Sequence, residues 1–145
     1  MNAQPKTEEN AGEELKKISF PWGIPGLEHN EYFLVAANEE SPFFFLESVK
    51  QTGMGLIVIN PFEAFSGYEF DLEDEIVSQL KIKDESQVAV FCTVNISRGF
   101  ENATANLLAP IVINTKDLLG KQVVLNEKKY SVRMPLAIIK EEKGR

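Results

Sequence analysis

The sequence predicts an all-β chain: a small antiparallel β-barrel-like single domain carrying one short helix. Three observations lead there. Short runs rich in Val, Ile, Phe and Tyr alternate with turns containing Gly, Pro and Asn. Segment 87–95 alternates with period two, placing Val88, Val90, Cys92 and Val94 on one face and Gln87, Ala89, Phe91, Thr93 and Asn95 on the other. Only segment 72–82 shows helical spacing. At 145 residues the chain is long enough to bury such a core without metal or disulfide staples.

Along the chain, residues 1–14 have few apolar side chains and no periodicity, so a flexible start is expected. The domain proper spans 15–140, and its first strands fall at 15–20, 31–37, 43–49 and 55–59. Turn residues at 23–26, 38–42 and 51–53 separate them. On the third strand Phe43 and Phe45 face one way, Phe44 and Leu46 the other. One pair belongs in the core; the other is either buried as well or part of an exposed contact patch, with Phe44 the contact candidate.

Asn60-Pro61 reads as a turn before a strand at 67–71. In 72–82, Leu72, Ile76, Val77 and Leu80 recur at helical spacing, with Glu73, Asp74 and Glu75 in the first turn, where acids complement the helix dipole. The Val88 face of 87–95 should look into the core, and the Phe91 face should be partly covered. Segment 105–115 is an apolar strand interrupted by Pro110, which lacks the N–H for a ladder bond and therefore belongs at an edge or a bulge. Strands at 121–126 and 130–139 close the domain, and 141–145 form a short charged tail.

Net charge is −7, and it is unevenly spread. Glu63, Glu69, Asp71, Glu73, Asp74 and Glu75 fall within 63–75, a stretch without Lys or Arg. Such a face repels phosphate backbones, which bind through Lys and Arg. It favours a basic protein partner and speeds encounter with it; the plainer alternative is a solvated face serving solubility. One cysteine rules out an internal disulfide framework and suits a reducing compartment. No apolar signal segment opens the chain, and the longest apolar run, 107–113, is far short of the ~20 residues of a membrane span. A cytoplasmic protein is expected.

Catalytic chemistry finds little support. Cys92 is the only thiol, and a thiol on an apolar strand face is inert. His29 is the only histidine, so no multi-histidine metal site can form, and a surface polar role after the Pro25-Gly26 turn is expected. The glycines match no phosphate-binding loop. Acids are plentiful enough for acid–base chemistry, but nothing in the pattern marks a buried pair. The glycosylation patterns at Asn95 and Asn102 have no secretory signal to give them meaning.

Two blocks carry a resemblance. Phe20-Pro21-Trp22-Gly23-Ile24-Pro25-Gly26-Leu27-Glu28 and Asn106-Leu107-Leu108-Ala109-Pro110-Ile111-Val112-Ile113-Asn114 resemble signatures of the bacterial FliW family of flagellar assembly factors. Ser41 to Val49, Asn60-Pro61, Tyr68, and Lys121-Gln122-Val123 with Tyr130 are similar to further family segments. Leu27, Phe45, Glu47 and Asn60 depart from the usual Phe, Trp, Gln and Asp, and the family's opening "F-G" strand is not evident in 1–14. The resemblance implies a monomeric β-barrel-like protein with neither catalytic activity nor cofactor, binding neither nucleic acid nor membrane. It also implies two protein partners: CsrA, a small RNA-binding translational repressor that FliW proteins antagonise, and flagellin, which competes for FliW. The motif residues are expected to be mainly structural, and the resemblance locates neither binding surface. The alternatives are a β-barrel holding a small molecule or acting as an enzyme, which needs convergent polar groups inside, and an oligonucleotide-binding barrel, which the acidic balance disfavours.

Overall fold

The computed structural model describes residues 2–3, 16–38, 40–126 and 128–136. In chain order the elements are β1 (Asn2–Ala3), β2 (Lys16–Ser19), β3 (Glu31–Ala36), β4 (Phe43–Ser48), β5 (Gly55–Ile59), α1 (Pro61–Ala64), β6 (Phe70–Asp71), α2 (Asp74–Gln79), β7 (Val88–Asn95), β8 (Thr104–Ala105), β9 (Ile111–Asn114), β10 (Leu119–Gln122) and β11 (Met134–Pro135). Strands β2 to β5 form an antiparallel meander, and β5 then pairs with β7. The ring runs β7-β5-β4-β3-β2-β10-β9 and returns from β9 to β7, giving a closed seven-stranded barrel. One junction departs from the antiparallel expectation: β10 meets β2 in parallel, through the single pair Leu119–Ser19.

Period-two alternation puts one side chain of each strand pair inside. Ile18, Tyr32, Leu46, Val58, Phe91, Ile111 and Ile113 fill the barrel together with Phe20. Phe20 meets Tyr32 edge-on at 5.8 Å between ring centroids. It also covers Gly120, where an added Cβ would lie 2.5 Å from the ring, so that position has room only for glycine. The interior is thus packed with side chains.

A second core lies on the outer face of β5, β7 and β9. Ile59, Val88, Val90, Cys92 and Val112 are covered there by Ala64 of α1, Tyr68, Phe70, Leu72, Ile76, Leu80 and Ile82. Strand β7 is therefore buried on both faces: the Val88 face packs under this cover, and Phe91 points into the barrel. The expectation of a partly covered Phe91 face understated its burial, because closing the ring makes that face the interior.

Other differences are local. Among the described residues there are two short α-helices, not one: Asn60 caps α1 by accepting from Phe62 N–H, and Pro61 sits at a first-turn position where its missing N–H costs nothing. The predicted helix 72–82 is confined to Asp74–Gln79, and Lys81 follows in the left-handed region at φ 58°. The expected strand 67–71 contracts to Phe70–Asp71. The strand expected at 121–126 begins earlier and ends at Gln122.

The strand expected over 105–115 is split into β8 and β9 by residues 106–110. Val94 pairs with Ala105 and Phe91 with Ile111, so three steps along β7 are matched by six on its neighbour. Pro110 sits in that excursion, which is where a residue without an N–H can be accommodated. Of the strand expected at 130–139, the described residues show Met134–Pro135, paired with β8; 137–139 and the tail 141–145 lie outside the described residues. The flexible start expected for 1–14 does not hold at Asn2 and Ala3. They pair with Asp71 and Phe70, and Ala3 is buried in the outer core. The pairing partner is distant in sequence, so local composition gives no sign of it. Residues 4–15 lie outside the described residues.

Candidate functional site

The six acids of 63–75 are all exposed, and three short elements present them. Glu63 is in the first turn of α1, Asp71 is on β6, and Glu73 precedes Asp74 and Glu75, which open α2. Apolar neighbours hold them in place: Ala64, Tyr68, Phe70, Leu72 and Ile76 turn inward onto the barrel while the acids turn outward. Asp71 accepts from Asn2 Nδ2 at 2.9 Å, so β1 is tied into the edge of this face. At Glu69 the backbone is clamped: its N–H donates to Tyr130 Oη at 3.1 Å, and its carbonyl accepts from the same hydroxyl at 2.9 Å. All six acids thus stand at the surface, with Asp71 and the Glu69 backbone anchored by hydrogen bonds.

An apolar row lies on the outer face of β3, β4 and β5, with Phe45 exposed and its neighbours Val35 and Ile57 part-buried. Here the expectation for Phe44 is overturned. Phe44 points into the barrel, half-buried, and meets Phe91 edge-on at 4.9 Å. Phe45, on the opposite face, is 42% exposed. The register sets Val35, Phe45 and Ile57 side by side in one row, with Phe33, Glu47 and Gly55 in the next. Phe43 continues the face and meets Phe100, itself 41% exposed, at 5.9 Å. Sequence reasoning did not single out Phe33, Val35, Ile57 and Phe100, and it left open whether the Phe45 or the Phe44 face was the outer one. A usable signal existed, because Glu47 shares a face with Phe45 and a carboxylate marks the side turned to water.

Several motif residues shape the backbone. Gly23 and Gly26 adopt φ of 75° and 92°, which glycine tolerates at no steric cost. Between them Ile24 is buried, while Pro21, Pro25 and Glu28 are exposed. In the excursion between β8 and β9, Asn106 Oδ1 accepts from the N–H groups of Leu108 and Ala109 at 3.1 and 3.0 Å. The freed carbonyls are met one by one. Tyr68 Oη donates to Leu107, Leu125 N–H to Leu108, Gln122 Nε2 to Ala109 and Val123 N–H to Pro110. Asn114 is fully buried; its Nδ2 donates to the carbonyls of Leu80 and Lys81 at 2.7 and 3.1 Å, and its Oδ1 accepts from Lys116 and Asp117 N–H.

The reactive groups are quiet. Burial pushes the Cys92 thiol up to about 12 against its ordinary 9.0. At neutral pH it is protonated, enclosed, and no nucleophile. Among the described residues no group of three or more His, Cys, Asp and Glu could hold a metal ion, and no helix is long and apolar enough to cross a membrane.

Comparison with known proteins follows the same lines. The family model described as FliW protein matches residues 3–136. A flagellar assembly factor FliW of Anoxybacillus flavithermus is 38% identical over 120 residues, 83% of each chain. That of Bacillus subtilis is 40% identical over 120 residues, covering 82% of this chain and 84% of its own. A crystal structure of the flagellar assembly factor FliW superposes with a TM-score of 0.74 at 38% identity, covering 89% of each chain.

Proposed function

The chain belongs to the FliW family, and from that premise we propose that it serves flagellar assembly as a cytoplasmic regulator that binds other proteins. It binds the translational repressor CsrA, antagonises that protein's RNA binding, and binds flagellin as the competing partner. Family membership across 3–136 carries the reading. The relatives are named assembly factors, in keeping with a protein that binds rather than catalyses.

Two surfaces support it. The exposed acids Glu63, Glu69, Asp71, Glu73, Asp74 and Glu75 suit a basic, RNA-binding protein and repel RNA itself. The row of exposed Phe45 between part-buried Val35 and Ile57 suits an apolar segment of flagellin. A small-molecule barrel is the weaker alternative, because aromatic and aliphatic side chains occupy the interior.

The reading is tested by titrating flagellin into a preformed complex with CsrA while following free CsrA and its mRNA binding. Flagellin should release CsrA, and each partner should lower the other's affinity by the same factor, as linkage requires. A stable three-way complex with neither affinity altered would leave a flagellin-binding module and remove the regulatory role.

A further inference from the structure

Beside the row of Val35, Phe45 and Ile57 the outer face continues to Phe43, whose ring meets that of Phe100 at 5.9 Å. Phe45 and Phe100 are both exposed, as is Ile96 in the same β7–β8 connection as Phe100. Strand β11 brings the chain to this end of the face. Met134 stands opposite Ala105 and Pro135 opposite Thr104, and Leu136 N–H donates to the Ala103 carbonyl at 3.0 Å. Ala103 N–H donates in turn to the Phe100 carbonyl at 3.2 Å. The run is antiparallel to 103–105, so each step past Leu136 heads toward Asn102 and Phe100.

The sequence beyond that point suits the place it heads for. Ala137, Ile138 and Ile139 form an apolar run, and Lys140 is the first charge after it. These residues lie outside the described ones. An extended chain advances about 3.3 Å per residue, so three residues reach about 10 Å past Leu136, enough to bring an isoleucine onto the Phe43–Phe100 pair. Such a contact takes apolar surface out of water on both sides. Glu101, exposed beside Phe100, offers a carboxylate to Lys140.

We propose that residues 137–140 are a strap over the Phe43–Phe100 end of the outer apolar face, with Ile138 and Ile139 as its apolar contacts. The occupant of this surface is then the chain itself, and an apolar segment of a partner has to displace it. This deepens the reading of the row as a flagellin surface, and only the competition rests on that reading. A seated strap lowers the apparent affinity of the row in proportion to the fraction of molecules in which it is open.

The full ¹⁵N-labelled chain is given a nitroxide at Glu142→Cys; Cys92 is buried with its thiol protonated and takes no label. Broadening should concentrate at the amides of Phe43, Phe45 and Phe100, and Ile138→Asp with Ile139→Asp should abolish it. Broadening that survives the double substitution, or is no stronger at these amides than elsewhere, overturns the proposal. Equal broadening in a mixture where nitroxide and ¹⁵N sit on different copies also overturns it, by making a second copy the occupant. In flagellin titrations the double variant should bind about fivefold more tightly, the gain expected of a strap seated in about four molecules of five. Equal binding by parent and variant overturns the competition. No binding by either falls on the flagellin reading alone, since the broadening decides the strap.

Discussion

Asn114 has no contact with solvent, and its amide serves four backbone groups, with Nδ2 also donating to Asp117 Oδ2. It fixes the end of α2, where Lys81 is held in the left-handed region, onto the end of β9. Asn114→Ala would leave buried carbonyls and N–H groups unmatched and should cost about 3 kcal/mol, read by urea unfolding; a loss below about 1 kcal/mol would mean that water replaces the side chain. The residue was legible as part of a motif, but its work was not, since its partners lie 33 and 34 positions away. Cys92 yields a second expectation. Between pH 9.0 and about 12 the unfolded thiol ionises while the native one stays protonated. The unfolded state then binds fewer protons, so this contribution is intact below that window and is lost as pH rises through it. Cys92→Ala should therefore lose less stability across the window than the parent, and the native thiol should resist disulfide reagents until urea is added.

At the scale of elements, β4 shows what alternation can and cannot settle. Period two split Phe43 and Phe45 from Phe44 and Leu46 without deciding which pair faced inward. Closure of the barrel decided it. Phe44→Asp should unfold the protein, because it places a carboxylate against Phe91 in the interior. Phe45→Asp should leave thermal unfolding within about 2 °C of the parent while weakening flagellin binding. If both variants fold and bind alike, the outer face is not the flagellin surface. The opposite lesson comes from β1, whose two residues have no local signal and gain their place by pairing with β6. Deleting residues 1–3 should lower the melting temperature by about 3 °C, through loss of the buried Ala3 and the short ladder. An unchanged melting temperature would show that the pairing adds nothing to stability.

Across the whole molecule, the strands of the meander and β7 were readable because each is a short run rich in β-branched and aromatic residues bounded by turn residues. The double core was not, because periodicity cannot distinguish a strand covered on both sides from one covered on one. Charge was legible in amount and clustering, while the inward turn of Ala64, Phe70, Leu72 and Ile76 that leaves the acids outside was not. Neutralising Glu69, Asp71, Glu73, Asp74 and Glu75 together should slow association with CsrA at low ionic strength, and added salt should erase the difference. Unchanged association kinetics would place that partner elsewhere. The two cores rest on side-chain packing, so treatment with a chelator should leave the melting temperature unmoved.

The single parallel pair joining β2 to β10 has a consequence for how the chain reaches its native state. Every other ring junction from β2 to β7 links strands that follow one another along the ring and the chain, but this one brings Ser19 to Leu119. Ring closure therefore carries the largest loop entropy in the barrel and comes late. On the ribosome the meander emerges first and waits, its β2 edge unpaired, until β10 has been made. Leu119→Ala should accordingly accelerate unfolding and leave the refolding rate nearly untouched. A matching drop in refolding rate would instead place closure in the folding nucleus.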